Sequence, residues 1–134
     1  MNRTSSALFI LIAALGFAAH AQDSKPAAAA EPKRNILDKY DQSGVEGKEI
    51  IIGTAELPPG ATIGWHTHPG DESGYVLRGT IIWKVRGQPD RNLKAGDHFF
   101  NPRGSVHSVT SVDGGAVVSH WIVDKGKPMA EPVK

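Results

Sequence analysis

The chain has 134 residues, a length that suits one domain, and 15 Lys and Arg stand against 14 Asp and Glu, a formal net charge of +1. That balance offers no basic surface for a phosphate backbone, so no nucleic-acid partner is expected. Cysteine is absent, which excludes disulfides, thiolate metal ligands and a lipidated cysteine anchor.

In chain order, residues 1–21 read as a cleaved signal peptide. Arg3 gives a positive start, Ala7 to Ala19 is apolar, and Ala19-His20-Ala21 has the small-x-small form of a processing site. The apolar run is short for a membrane span. Export to the periplasm or the medium is therefore expected, with a mature chain from about Gln22 and no stable membrane anchor after processing. Residues 22–46 read as a flexible linker and lead-in. Their first part is rich in Ala, Pro, Lys and Glu, and Pro26 and Pro32 bracket its one alanine run.

The first secure strand spans Lys48 to Leu57, on the β-branched run Ile50-Ile51-Ile52, and Pro58-Pro59-Gly60 stops it. Thr62 to His68 and Tyr75 to Leu77 form the next pair, across a Pro69-Gly70 turn. Thr80 to Arg86 alternates, with Ile81, Trp83 and Val85 on one face. Gly87-Gln88-Pro89-Asp90 is a hairpin turn, Arg91 to Leu93 returns, Val106 to Val112 follows, and Ala116 to Val123 closes the set. Short strands with glycine turns and no amphipathic helix indicate an all-β fold, a sandwich or barrel, placed at residues 47–124. Its expected core is Ile50, Ile52, Ile81, Trp83, Val85 and Val109. Residues 125–134 read as a tail, with two prolines and no apolar period.

The chemistry gathers in two stretches. His66 and His68 are two apart on a strand, so both imidazoles leave the same side. If the strand after the turn pairs back, Glu72 comes beside them. His107 opens a later strand beyond the Pro102-Arg103-Gly104 loop. Three imidazoles and a carboxylate suit a divalent transition metal such as Mn, Fe, Ni, Cu or Zn, and four protein ligands leave positions for water or substrate.

These stretches resemble the two motifs of the cupin superfamily. The pattern Gly-x5-His-x-His-x3-Glu-x6-Gly is matched at Gly60, His66, His68, Glu72 and Gly79. The pattern Gly-x5-Pro-x-Gly-x2-His-x3-Asn is matched at Gly96, Pro102, Gly104 and His107, with Ser111 in place of the asparagine. The resemblance implies a single small jelly-roll (cupin) β-barrel of the type-2 conserved-barrel kind, with metal ligands His66, His68, Glu72 and His107. It allows dioxygenases, isomerases and decarboxylases, and one fold hosts many functions. The expectation is a metal-dependent oxidoreductase, dioxygenase-like, on a small organic substrate. The alternatives are a metal-dependent isomerase of a sugar-like substrate and a non-catalytic module that binds a sugar or organic acid.

The other candidates are fewer. His120 and Tyr75 are the acid/base candidates, and their facing the metal would favour an enzyme. Trp65, Trp83 and Trp121 could line a pocket, with Trp65 aimed away from the metal as the neighbour of His66. Arg78 and Arg103 could meet an anion, and His98 reads as a solvated loop residue. Ile82, apolar on a polar face, hints at a partner, and a homodimer is expected.

Overall fold

A computed structural model describes residues 30–134. The stretch read as a signal peptide, and residues 22–29 of the stretch read as a linker, lie outside the described residues. The rest forms ten strands in two five-stranded antiparallel sheets, with no helix among the described residues. The strands are β1 (Lys33–Asp41), β2 (Lys48–Leu57), β3 (Thr62–Thr67), β4 (Gly70–Arg78), β5 (Thr80–Val85), β6 (Arg91–Lys94), β7 (His98–Asn101), β8 (His107–Ser111), β9 (Gly115–Asp124) and β10 (Glu131–Pro132). The first sheet runs β1-β2-β9-β4-β7 and the second β10-β3-β8-β5-β6. This is the expected all-β jelly roll.

Two strands go beyond the expected domain limits. β1 lies in the stretch read as linker and lead-in, and pairs with β2 along its length. β10 lies in the tail and pairs with β3 at Thr67 and His66. β1 is exposed throughout and carries no alternation of burial, so no period in its sequence marks it as a strand.

The core sits between the sheets. Leu57, Val76, Ile81, Trp83, Leu93, Phe99, Val109 and Val117 form its main cluster, and Val85 packs at its margin. Burying each such aliphatic or aromatic side chain contributes about 1.5–3 kcal/mol. Trp83 stacks on Phe99 with ring centroids 4.1 Å apart. Gly74 makes room for that pair, since a Cβ there would lie 2.0 Å from the Phe99 ring.

The isoleucine run is phased one residue from expectation. Ile51 is buried, while Ile50 and Ile52 lie half-buried on the outer face. Three isoleucines in a row carry no phase of their own. The phase is set by β9, where Ile51 pairs with Trp121, and by Glu49, which turns inward and pairs with Lys39 at 3.0 Å.

The glycines of the two motifs have a common cause. Gly60, Gly79, Gly96 and Gly104 all have φ between 72 and 98°, a region that side chains rarely adopt. At Gly79 a Cβ would also lie 1.9 Å from the Gly114 carbonyl oxygen. Ser111, in the asparagine position, is buried, and its Oγ accepts a hydrogen bond from the Gly114 N–H at 3.0 Å. The hydroxyl thus holds the turn into β9.

Candidate metal centre

His66 and His107 are direct cross-strand partners on β3 and β8. The alternation of β3 alone would put Ile63 and His66 on opposite faces. A bulge corrects this: three steps on β3 match two on β8, from Ile63 opposite Val109 to His66 opposite His107. The extra residue lets both side chains face inward. The expected pairing of the ligand strand with the strand after it does not occur: β3 and β4 lie in different sheets, and Glu72 arrives from the facing one, where Ile51, Trp121, Glu72 and Asn101 stand in one row across β2, β9, β4 and β7. The site therefore spans the interior, with imidazoles from one wall and the carboxylate from the other.

All four side chains are buried, and His107 is 1% exposed. The three imidazoles offer ligand nitrogens within 4.8 Å of one another. Glu72 Oε2 lies 3.2 Å from His68 Nε2 and 3.1 Å from His107 Nε2. Donor atoms that share an ion at about 2.1 Å and a right angle lie about 3.0 Å apart, so this spacing fits a common ion.

The hydrogen bonds prepare the same nitrogens. His66 Nδ1 donates to the Gly64 carbonyl at 2.7 Å, His68 Nδ1 to the Met129 carbonyl at 2.6 Å, and His107 Nδ1 to the Ser105 carbonyl at 2.9 Å. Each bond puts the ring proton on Nδ1 and leaves the Nε2 lone pair for a cation. His107 Nε2 is buried with no hydrogen-bond partner, an orphan acceptor that a metal would satisfy. Trp121 Nε1–H makes a long 3.3 Å bond to His68 Nε2.

Electrostatics agree. Burial lowers the His66 pKa to about 4, with the neighbouring imidazoles adding to the effect against its bond to Gly64. Burial pushes Glu72 upward, but the imidazoles of His107 and His68, whose nitrogens lie 3.1 and 3.2 Å from its Oε2, outweigh it and hold the carboxyl below the ordinary carboxylate range. A neutral His66 and an ionised Glu72 are the forms that bind a metal. The residues present thus fit a divalent ion.

Asn101 is a residue of the candidate site that the sequence reading missed. It is 1% exposed, and its Nδ2–H donates to Glu72 Oε2 at 2.9 Å. Its one sequence signal is its place beside the motif residue Pro102. Met129 was also missed. Its carbonyl orients His68, and its side chain packs against Ile51, Trp121 and Val123.

A cavity of about 40 Å³ adjoins the four ligands. It is lined mainly by apolar groups, among them Ile63, Trp83, Phe99, Val109 and Val117, with Ser119, Thr54 and Arg34 as its other polar residues. Trp83 and Trp121 therefore line it as well as pack, whereas Trp65 is outside, with the Arg86 guanidinium 5.7 Å from its ring.

The two acid/base candidates do not join the site. Tyr75 pairs with Val118, and His120 with Ile52 and Ser73, all on the outer face of the first sheet. Glu72 and Trp121 face in, so the odd-even alternation of each strand sends these neighbours out. Arg78 and Arg103 are likewise outside, paired with Glu56 and Asp124. His98 is exposed, on β7 rather than in a loop.

Comparison with known proteins adds the following. The sequence profile of the cupin domain matches residues 53–123. The chain is 35% identical over 57 residues to dimethylsulfoniopropionate lyase DddQ of Ruegeria pomeroyi, covering 42% of this chain and 28% of that protein. It is 33% identical over 69 residues to an oxalate-binding protein of Thermotoga maritima, covering 51% and 56%. The chain thus spans about a quarter to a half of the length of these relatives. Among solved structures, a cupin-like protein of Thermotoga maritima is 30% identical, with a TM-score of 0.59 over 76% of this chain and 75% of that one.

Proposed function

The chain belongs to the cupin domain family, and on that premise we propose that it binds a divalent transition metal through His66, His68, Glu72 and His107 and acts as a metal-dependent oxidoreductase, dioxygenase-like, on a small organic molecule. The observation that carries the reading is the convergence of three buried imidazoles, two of them beside the Glu72 carboxylate, on one apolar cavity. When bound, such an ion supplies Lewis acidity and, if redox-active, electron transfer.

The chain's own residues do the rest. The backbone carbonyls of Gly64, Met129 and Ser105 hold the imidazole protons on Nδ1. Asn101 fixes the carboxylate. Trp83, Phe99, Val109 and Val117 limit water around the reacting molecule, which strengthens every polar interaction there.

Sugar isomerisation is disfavoured. It moves protons through a separate acid and base, and Tyr75 and His120 face outward. The same scarcity of acid/base groups favours a second reading, a metal-dependent binder of a small organic acid. The names of the oxalate-binding and dimethylsulfoniopropionate relatives support a small ligand in either case.

The test is metal analysis of protein purified from its native compartment, then calorimetry and oxygen-uptake measurements on that metal form with a panel of small organic acids. One metal per chain with oxygen consumption supports the oxidoreductase. Binding without turnover selects the binder, and absence of metal sinks both.

Export is part of the proposal and rests on residues 1–21; an intact Met1 chain in the membrane fraction would overturn it. Assembly is proposed as a homodimer through the outer face of the first sheet, which carries Ile50, Ile52, Val118 and Ile122 with the exposed Tyr40, Tyr75 and Phe100. A monomer mass by light scattering at micromolar protein would refute it.

A further inference from the structure

Among the described residues, Arg34 is the one Lys or Arg side chain that lines the candidate metal cavity. It lies on β1 opposite Ala55, a core residue, so it faces the interior side of the first sheet. It also lines two surface clefts beside that cavity, one with Trp65, His66, Ala130 and Pro132, the other with Glu31, Thr62 and Gly64. Arg34 therefore stands where the interior opens to solvent, between edge strand β1 and the β3–β10 edge of the second sheet. Among the described residues it makes no ion pair, although Arg78 and Arg103 both do. Glu31 shares the outer cleft with it but does not line the cavity.

Resting on the metal-site reading above, we propose that Arg34 is the specificity residue of the cavity and selects a small organic carboxylate. Three neutral imidazoles and one carboxylate leave a divalent ion with a net charge of +1. An anion balances that charge, and a neutral ligand does not. An isolated carboxylate is costly to bury among Ile63, Trp83 and Val109. A cation on each side of the anion removes that cost. Guanidinium presents two parallel N–H donors that match the two oxygens of a planar carboxylate, a fit that lysine lacks. Arg34 precedes residues 53–123, the span matched by the cupin profile, and lies in neither motif.

The experiment titrates the metal-loaded full chain with glycolate, oxalate and glycolamide by calorimetry, for the wild type, Arg34→Met and Arg34→Lys. Metal content and melting temperature are recorded for each. Arg34 is exposed, so both variants are expected to keep the metal and melt close to wild type. The expected result is carboxylate binding that weakens tenfold or more in Arg34→Met, less in Arg34→Lys, with any glycolamide binding unchanged. Carboxylate affinities within twofold across the three proteins, an equal loss for glycolamide, or no carboxylate binding by wild type would overturn the proposal. Failure of the metal reading looks different. Wild-type protein would then hold no metal, and Arg34-dependent carboxylate binding by that metal-free protein would keep this inference alone.

Discussion

At the scale of residues, the cluster of three buried histidines with Glu72 beside it was legible and its supports were not. His66, His68, Glu72 and His107 are recognisable because their spacing repeats a known pattern. What orients them is largely backbone: the carbonyls of Gly64, Ser105 and Met129 leave no mark on residue identity. Asn101 is the exception, since a side chain does the work. Its amide donates to the Glu72 oxygen that lies nearest the His68 and His107 nitrogens. Asn101→Ala is expected to lower metal affinity by about 10–100-fold, the range typical of a lost partner behind a metal ligand. Competition with a chromogenic chelator measures it, and a change under twofold would deny Asn101 a positioning role. The phase error at Ile50 and Ile52 belongs here too. A β-branched run announces a strand but not which face is buried, and Ile51 is chosen by its partner Trp121.

At the scale of elements, strands with alternating burial were legible, and β1, β7 and β10 were not. β7 has four residues and β10 two, too short to show a period. Yet β10 and the chain before it form part of the site. Met129 orients His68 through its carbonyl, and the Val133 N–H donates to the Trp65 carbonyl at 2.9 Å. Deleting residues 128–134 is expected to weaken metal binding by about tenfold or more, while unfolding stays cooperative. Unchanged affinity by the same chelator competition would make the segment a mere tail. A second element-scale device is the loop that delivers His107. The Arg103 N–H donates to Asp71 Oδ1 at 2.9 Å, its guanidinium pairs with Asp124 at 2.6 and 3.0 Å, and Lys48 reaches the same carboxylate at 2.5 Å. The Arg103 bond first, then Lys48, holds the Asp124 carboxyl below its ordinary value of 3.8. A folded pKa below the unfolded one contributes stability that is fully present above about 3.8 and is lost as pH falls below it. Urea midpoints of metal-free wild type and Asp124→Asn should therefore differ most at pH 6, with the gap narrower at pH 3 and closing only at still lower pH. A gap of equal size at both pH values would rule out this linkage.

At the scale of the whole molecule, the fold was legible because its determinants are local: turn glycines, alternating strands and the two motif loops. The cavity was not, because it depends on how two sheets face each other. That arrangement sets the last expectation, on how metal and stability are coupled. The main core cluster, from Ala55 to Val117, is apolar throughout and packs without an ion. The barrel should therefore fold without metal. A metal bound only by the native state adds about 2.7 kcal/mol at a free concentration one hundred times its dissociation constant. For a domain of this size that is a shift of about 10 °C in melting temperature. A chelator should thus lower the melting temperature by about that amount and leave one cooperative transition. His107→Ala should abolish the metal-dependent part. It should also lower the metal-free melting temperature, because His107 is 1% exposed and stacks with Trp83 at 5.2 Å, so truncation leaves a cavity that costs about 2 kcal/mol or more. His107→Gln, which fills more of that space, should separate the two effects, with metal dependence lost and the metal-free melting temperature closer to wild type. Identical melting of the wild type with metal and with chelator at neutral pH would show that the four residues do not hold an ion in the folded chain.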